Sequence, residues 1–382
     1  MPQQEPRRPP VLKFIHTSDL HLGKPFGRFP EDVRARLRQA RADVLPRLAT
    51  LAREHGVSHV LLAGDTFDQT TPAPTVIRQA LNMMRAAEHV TWVVMPGNHD
   101  HSNATQLWRQ AAEDAPPNVA LQLAPRPYVL TDAAMLLPAP PSERHPGRDL
   151  TDWYDGAETG GSLRIGLAHG SVTDFDSSEE GGSSVIPPDR ARRSGLAYLG
   201  LGDWHGQLQI TPDTWYSGAP EADGFKHDRT PAALLVDIKG PRALAEVTSL
   251  PTGTLDWRRI TLELMGDTDA AAAHAAALPP LIARATTLLD LVVTGRAAPL
   301  QRVALEQAIV AATPDFLWHR ADLDHLGLVH DTNDLDAIDR QGALRAAAEA
   351  LAREAADDSL SPDARETAQD ALSYLFSYAL EA

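Results

Sequence analysis

Five short polar motifs, each directly after an apolar run, hold the residue types that bind divalent transition metals: carboxylate, imidazole and a side-chain amide oxygen. They read Asp19-Leu20-His21, Gly64-Asp65-Thr66-Phe67-Asp68, Gly97-Asn98-His99-Asp100, His169-Gly170 and Gly202-Asp203-Trp204-His205-Gly206. The runs before them are Phe14-Ile15, Val60-Leu61-Leu62-Ala63, Trp92-Val93-Val94-Met95, Ile165-Gly166-Leu167-Ala168 and Leu199-Gly200-Leu201. Such runs, bounded by Gly and polar residues, fit strands buried on both faces. In layered α/β folds, ligands gather beyond the carboxyl ends of those strands. Motifs spread from residue 19 to residue 205 can therefore meet in one place, and a dinuclear metal site is the inference. Each motif alone has a plainer reading, since an Asp at a strand end commonly turns the chain or caps a helix. Five together, in this order, favour metal.

The elements that must position these motifs follow from periodicity. Residues 33–54 carry Val33, Leu37, Val44, Leu45, Leu48 and Leu51 at helical spacing, with an irregularity expected at Pro46. A second helix over 74–87 opens on Pro74 and Thr75. Strand, helix, strand, helix, strand over 12–96 predicts a layered α/β sheet. Residues 138–161 read as a long excursion. Residues 171–188, with Asp174, Asp176, Glu179 and Glu180, read as an acidic loop, either simply solvated or a lid. From Ala232 the pattern changes. A hairpin of 233–238 and 245–250 turns around Lys239-Gly240-Pro241, and a strand over 257–264 follows. An Ala-rich helix (about 269–285), a strand (289–294), a helix (299–312) and a strand (316–320) suggest a second small α/β domain. Two helices, 335–357 and 361–381, end the chain. The apolar stripe of the last, including Ala368, Leu372 and Leu375, needs a surface of this chain or of a partner.

Composition narrows the class. A chain of 382 residues accommodates a large domain and one or two smaller ones. With no cysteine, disulfides and thiolate ligands are excluded, so a metal site must use oxygen and nitrogen donors. The first ten residues are read as disordered; they lack the apolar core of a secretory signal. No apolar stretch reaches membrane-spanning length. A cytoplasmic protein without membrane association is the expectation. The formal charge of −16 sits badly with autonomous nucleic-acid binding, which normally needs a Lys/Arg-rich surface.

The order D-x-H, G-D-x-x-D, G-N-H-D, His-Gly and G-x-x-H resembles the calcineurin-like metallophosphoesterases. The longer wording of His16-Thr17-Ser18-Asp19-Leu20-His21-Leu22-Gly23, Gly64-Asp65-Thr66-Phe67-Asp68 and Tyr216-Ser217-Gly218-Ala219-Pro220-Glu221 is similar to the SbcD-type DNA repair exonucleases. The likeness is dense from about residue 11 to 221. It implies a layered sandwich of two central β-sheets flanked by helices, with a small α/β cap domain and C-terminal helices. The domains expected are a catalytic core over 11–231, core-completing strands and cap over 232–333, and helices over 334–382.

The resemblance also implies roles. Asp65 bridges two ions, since one carboxylate can give an oxygen to each. Asp19, His21 and His205 complete one metal; Asn98 and His169 serve the other. His99 reaches the scissile phosphate and gives a proton to the leaving oxygen. Asp68 matches the carboxylate that orients this histidine, with a structural turn as its other reading. Relatives usually have His-x-His where this chain has Asp203-Trp204-His205. Asp203 is therefore either a direct ligand favouring Mn²⁺ or Mg²⁺, or one acting through water. His16, His55, His59, His101 and His227 have no motif support as ligands.

Two metals about 3.5–4 Å apart can activate a bridging hydroxide and clamp an in-line displacement. The expected function is a two-metal phosphodiesterase using Mn²⁺, with Fe or Mg²⁺ as alternatives. By resemblance it is a DNA repair exonuclease working with an SbcC-like coiled-coil ATPase, with DNA as substrate and a homodimer left open. A phosphodiesterase or phosphatase for a small phosphoester, and a non-catalytic DNA-binding subunit, remain the alternatives.

Overall fold

The computed structural model describes residues 12–172, 186–225, 230–240, 243–266, 268–328 and 342–381. The acidic segment around 174–182, His227 and residues 335–341 lie outside these, as do residues 1–10. The chain divides into two compact units, Met1–Leu255 and Asp256–Ala382.

The first unit opens with alternating strands and helices. In order these are β1 (Leu12–Thr17), α1 (Glu31–Ala42), α2 (Val44–Glu54), β2 (His59–Ala63), α3 (Pro74–Ala86), β3 (Thr91–Met95), α4 (Thr105–Asp114) and β4 (Val119–Leu121). Then come β5 (Tyr128–Thr131), β6 (Ala134–Ala139), β7 (Leu163–His169), α5 (Arg190–Arg193), β8 (Tyr198–Gly202), β9 (Leu208–Thr211), β10 (Thr214–Tyr216), β11 (Ala232–Ile238) and β12 (Glu246–Pro251). One sheet runs β12-β11-β1-β2-β3-β4 and the other β5-β6-β7-β8-β10-β9. The strands β1 to β4 are parallel to one another, as are β6, β7, β8 and β10. Only strands covered on both faces can be apolar at successive positions. On β1, Ile15 joins the core under the helices while Phe14 joins the layer between the sheets; on β2, Val60 and Leu62 face the helices while Leu61 and Ala63 face the second sheet. The outer face of the second sheet is covered in part by the excursion, where Tyr154 is fully buried and its hydroxyl donates to the Leu167 carbonyl (2.9 Å).

Two expectations change in detail. The helix read over 33–54 is two, broken at Asp43. Pro46 falls in the first turn of α2, where a missing N–H costs no hydrogen bond. The hairpin of β11 and β12 belongs to the first unit, because β11 pairs antiparallel with β1 from Leu12↔Ile238 to His16↔Leu234. The division between the two compact units falls at Leu255. The strands β5, β6, β9 and β10 lie where the sequence pattern marks none.

The second unit holds β13 (Asp256–Leu264), α6 (Ala270–Ala277), α7 (Leu281–Arg284), β14 (Thr287–Ala297), α8 (Pro299–Ala312) and β15 (Trp318–Leu328), then helices Ala343–Ala355 and Pro362–Glu381. Its sheet, β13-β14-β15, is parallel. The Ala-rich helix stops where Pro279 and Pro280 follow Leu278. Ala348 and Leu372 of the two final helices bury each other with Leu300, so part of the last helix's stripe packs within its own unit.

Candidate metal centre

The five motifs meet beyond the carboxyl ends of β1, β2, β3, β7 and β8. Backbone hydrogen bonds zip the first two loops together: Asp19 N–H donates to the Gly64 carbonyl (3.1 Å), His21 N–H to that of Asp65 (2.9 Å), and Asp68 N–H to that of Leu22 (3.1 Å). Asp19, His21, Asp65 and Asp203 all hold positive φ, at 58°, 45°, 53° and 97°. That region disfavours any residue with a Cβ, at a cost of roughly 1–3 kcal/mol each. Strain concentrated on four candidate ligands is the mark of a site whose geometry the surrounding fold imposes.

The third loop lies directly on Asp65. A Cβ on Gly97 would stand 2.1 Å from Asp65 Oδ1, so only glycine lets the loop pass there. His99 N–H then donates to the same oxygen (2.9 Å). Asp100 fastens the arrangement, accepting from the backbone N–H groups of Gly97 (2.6 Å) and Phe67 (3.0 Å). Burial, and then the neighbouring Asp65, push its carboxyl up to about 7.

Three groups of side chains offer converging donor atoms: Asp19, His21 and His205; Asp19, Asp65 and His169; and His21, Asp68 and His99. His21 Nε2 lies 3.2 Å from His205 Nε2 and 3.7 Å from Asp65 Oδ2. His169 donates from Nδ1 to the Ala63 carbonyl (2.8 Å), which fixes its tautomer and turns Nε2 toward Asp65 Oδ2 (3.5 Å) and Asp203 Oδ1 (3.7 Å). Asn98 Nδ2 donates to Asp203 Oδ1 (3.1 Å). Asp203 therefore stands with Asn98 and His169.

Asp68 lies beside both His21 and His99. Its backbone carbonyl, not its carboxylate, accepts from His99 Nδ1 (2.9 Å), while its carboxylate turns to His21 Nδ1 (3.3 Å). The β2 loop already lies alongside His21, so the acid reaches that imidazole first. His16 is fully buried away from the cluster, its Nδ1 2.9 Å from the Tyr198 hydroxyl.

Residues outside the metal-binding motifs hold the candidate ligands. Asp223 Oδ2 lies 3.5 Å from His205 Nδ1 and 2.5 Å from Lys24 Nζ. Ser18 Oγ donates to Asp19 Oδ2 (2.5 Å) and contacts Ser217 Oγ (2.8 Å). Arg41, 1% exposed, donates to the carbonyls of Leu20 (2.6 Å), Asp19 (2.8 Å) and Glu221 (3.2 Å). The one sequence signal for Arg41 is an arginine on the buried face of α1 with Val33 and Leu37.

The electrostatics show what the cluster requires. Against the desolvation of burial, Asp65, Asp19 and Asp203 hold His169 well above the usual imidazole range. Despite its burial, Asp65 is held below the usual carboxylate range by His169, His21 and His99. Asp203 is pushed up by burial and by Asp19 and Asp65. Buried carboxylates that draw protons onto their neighbouring imidazoles demand positive charge, and divalent ions meet that demand. Asn98 Oδ1 is buried with no hydrogen-bond partner among the described residues, an orphaned hard acceptor of the kind such ions take. The residues fit two metals.

Residues 12–192 match the profile of the calcineurin-like phosphoesterases. That stretch belongs to this family. The phosphoesterase unit carries a candidate dimetal site. Over 255 residues the chain is 27% identical to the uncharacterized metallophosphoesterase YhaO of Bacillus subtilis, covering 59% of this chain and 57% of that one. It is 32% identical over 93 residues to a subunit of the nuclease SbcCD of Bacillus subtilis, covering 24% of this chain and 22% of the relative. A stretch of 94 residues is 30% identical to DNA double-strand break repair protein Mre11 of Archaeoglobus fulgidus, with 24% and 20% covered. The chain thus spans less than two thirds of each of these relatives. Among solved structures, the chain is similar to TT1561 of Thermus thermophilus, with TM-score 0.41, 12% identity, and 63% of this chain and 99% of that one covered. The purple acid phosphatase PPD1 of yellow lupin gives TM-score 0.38 at 12% identity, with 62% and 51% covered.

Proposed function

We propose that the phosphoesterase unit hydrolyses phosphodiesters at two divalent ions, with DNA as substrate and Mn²⁺ as the metal. The observation that carries the hydrolytic reading is the convergence of Asp19, His21, Asp65, His169 and His205 at adjoining strand ends, with Asn98 Oδ1 left for a cation. The DNA reading is supported by the stretches shared with a nuclease subunit and a double-strand break repair protein. It also accords with the wording around Asp19 and Tyr216. By the same resemblance, a coiled-coil ATPase is the partner. It would supply phosphate contacts that a chain of net charge −16 has in short supply.

Asp65 would serve both ions. Asp19, His21 and His205 would hold one, and Asn98, His169 and Asp203 the other. When bound, such a pair polarises the phosphoryl oxygens and lowers the pKa of water to supply a nucleophile. The chain's own contribution is order. Asp223 and Ala63 fix which nitrogens His205 and His169 present, and Arg41 and Ser18 hold Asp19. His99, anchored through Nδ1 to the Asp68 carbonyl, keeps Nε2 for a substrate oxygen and, in its doubly protonated form, would give the Nε2 proton to the leaving group.

Purified protein with Mn²⁺, assayed on duplex DNA, single strands and a chromogenic diester, tests the reading. Asp65→Asn should lose both ions and the activity, whereas His99→Ala should keep the ions and slow turnover roughly 10²–10⁴-fold. Wild-type metal content and rate in Asp65→Asn would sink the site. Turnover of the diester with no cleavage of any DNA, partner present or not, would move the substrate to a small phosphoester, which the acidic surface also suits.

A further inference from the structure

The loop that follows Asp19-Leu20-His21 carries two cations, Lys24 and Arg28. Lys24 N–H donates to the His21 carbonyl (3.2 Å), and Gly23, at φ 88°, turns the chain back. The Lys24 ammonium lies 2.5 Å from Asp223 Oδ2, the oxygen that also stands 3.5 Å from His205 Nδ1. Its charge is committed there. Arg28 lies four residues further on and is exposed. Its guanidinium carbon is 4.8 Å from the centre of the Phe29 ring and 5.8 Å from that of Phe225. Phe225 lies two residues after Asp223. The segment that steadies His205 is thus also the segment that steadies Arg28.

Ring contact engages the faces of a guanidinium and leaves its edges, where five N–H donors form a fork matched to phosphate. No carboxylate among the described residues pairs with Arg28. An arginine held between two rings loses less freedom when an anion arrives than one in open solvent, so its donors are partly preorganised for one. Arg28 is joined through the 223–225 segment to His205, a candidate metal ligand.

We infer that Arg28 binds a second phosphate of the substrate, one adjoining the scissile phosphate. The inference rests on the phosphodiesterase reading above and deepens it: the substrate carries successive phosphates rather than an isolated diester. That second phosphate is either an internucleotide link or a terminal group, and both present the same oxygens to the fork.

Calorimetric titration of the Mn²⁺-loaded full chain with thymidine 3′,5′-bisphosphate and with thymidine 5′-monophosphate reads the second phosphate without needing turnover. The wild type should prefer the bisphosphate by roughly 10–100-fold, the worth of one charge-assisted contact. Arg28→Ala should abolish that preference. Arg28→Lys should keep part of it, since the charge stays and the fork is lost. Equal preference in the wild type and Arg28→Ala, with melting temperature and metal content matched, overturns the inference.

Cleavage of an oligothymidylate and of a 5′-phosphorylated dinucleotide separates the sources. A rise in KM confined to the oligonucleotide identifies the internucleotide phosphate, and a rise on both admits the terminal one. If no nucleic acid is cleaved but Arg28→Ala still removes the bisphosphate preference, the DNA reading fails and the phosphate site stands. If DNA is cleaved with the preference unchanged, the reverse holds.

Discussion

At the scale of residues, the chemistry is crowded against buried groups that take no part in it. His16 is the clearest. It is fully buried, three residues before Asp19, and burial pushes its imidazole down to about 3. Below pH 6.5 an unfolded chain gains a proton there that the folded one refuses until pH falls to about 3. Stability is therefore lost as pH drops through that window, by up to about 1.4 kcal/mol per pH unit. His16→Gln should flatten the slope of urea-unfolding free energy against pH between 6.5 and 4 in metal-stripped protein. An unchanged slope would show that His16 takes up its proton in the folded state. Candidate ligands were legible in the sequence because each lies in a short polar motif at the end of an apolar run. The residues that hold them were not. Asp223 and Arg41 come within reach only through tertiary folding, and nothing in the spacing of Asp68 tells that its backbone carbonyl, rather than its carboxylate, meets His99.

At the scale of elements, each strand delivers its motif through a turn with no spare room. Gly97 shows this most directly: any side chain there enters the space of Asp65 Oδ1. Gly97→Ala should lower metal affinity at least tenfold, because the loop carrying Asn98 and His99 must lift away. Its effect on the melting temperature of the stripped protein should be far smaller. Equal damage to both would make Gly97 a folding residue with no special tie to the ions. Arg41 does the complementary work from α1, its guanidinium satisfying carbonyls on both sides of the Asp19 turn. The long apolar runs made β1, β2, β3, β7 and β8 readable. The short strands β5, β9 and β10 carry too few apolar residues to declare a period, and the Ala-rich helix concealed a break that Pro279 and Pro280 should have announced.

At the scale of the molecule, the candidate ligands come from two sheets. Asp19, Asp65 and Asn98 follow strands of one, while His169 ends a strand of the other and Asp203 and His205 follow its neighbour. Metal binding should therefore stabilise the whole phosphoesterase unit, by about 2.7 kcal/mol at a free ion concentration one hundred times the dissociation constant. EDTA should lower the melting temperature by several degrees, and Mn²⁺ should restore it in proportion to the logarithm of its concentration. A melting temperature indifferent to chelation would show that the ligands do not tie the sheets together. Among the described residues no helix is long and apolar enough to cross a membrane. The parallel run of β1, β2, β3, β7 and β8 has one more consequence. With every motif at their carboxyl ends, the connections entering β2, β7 and β8 lie at the opposite pole. There Gly56, Gly160, Gly161 and Gly195 adopt positive φ with open space around them. Those turns are free to accept an epitope, a fluorophore or new chain termini without entering the chemistry.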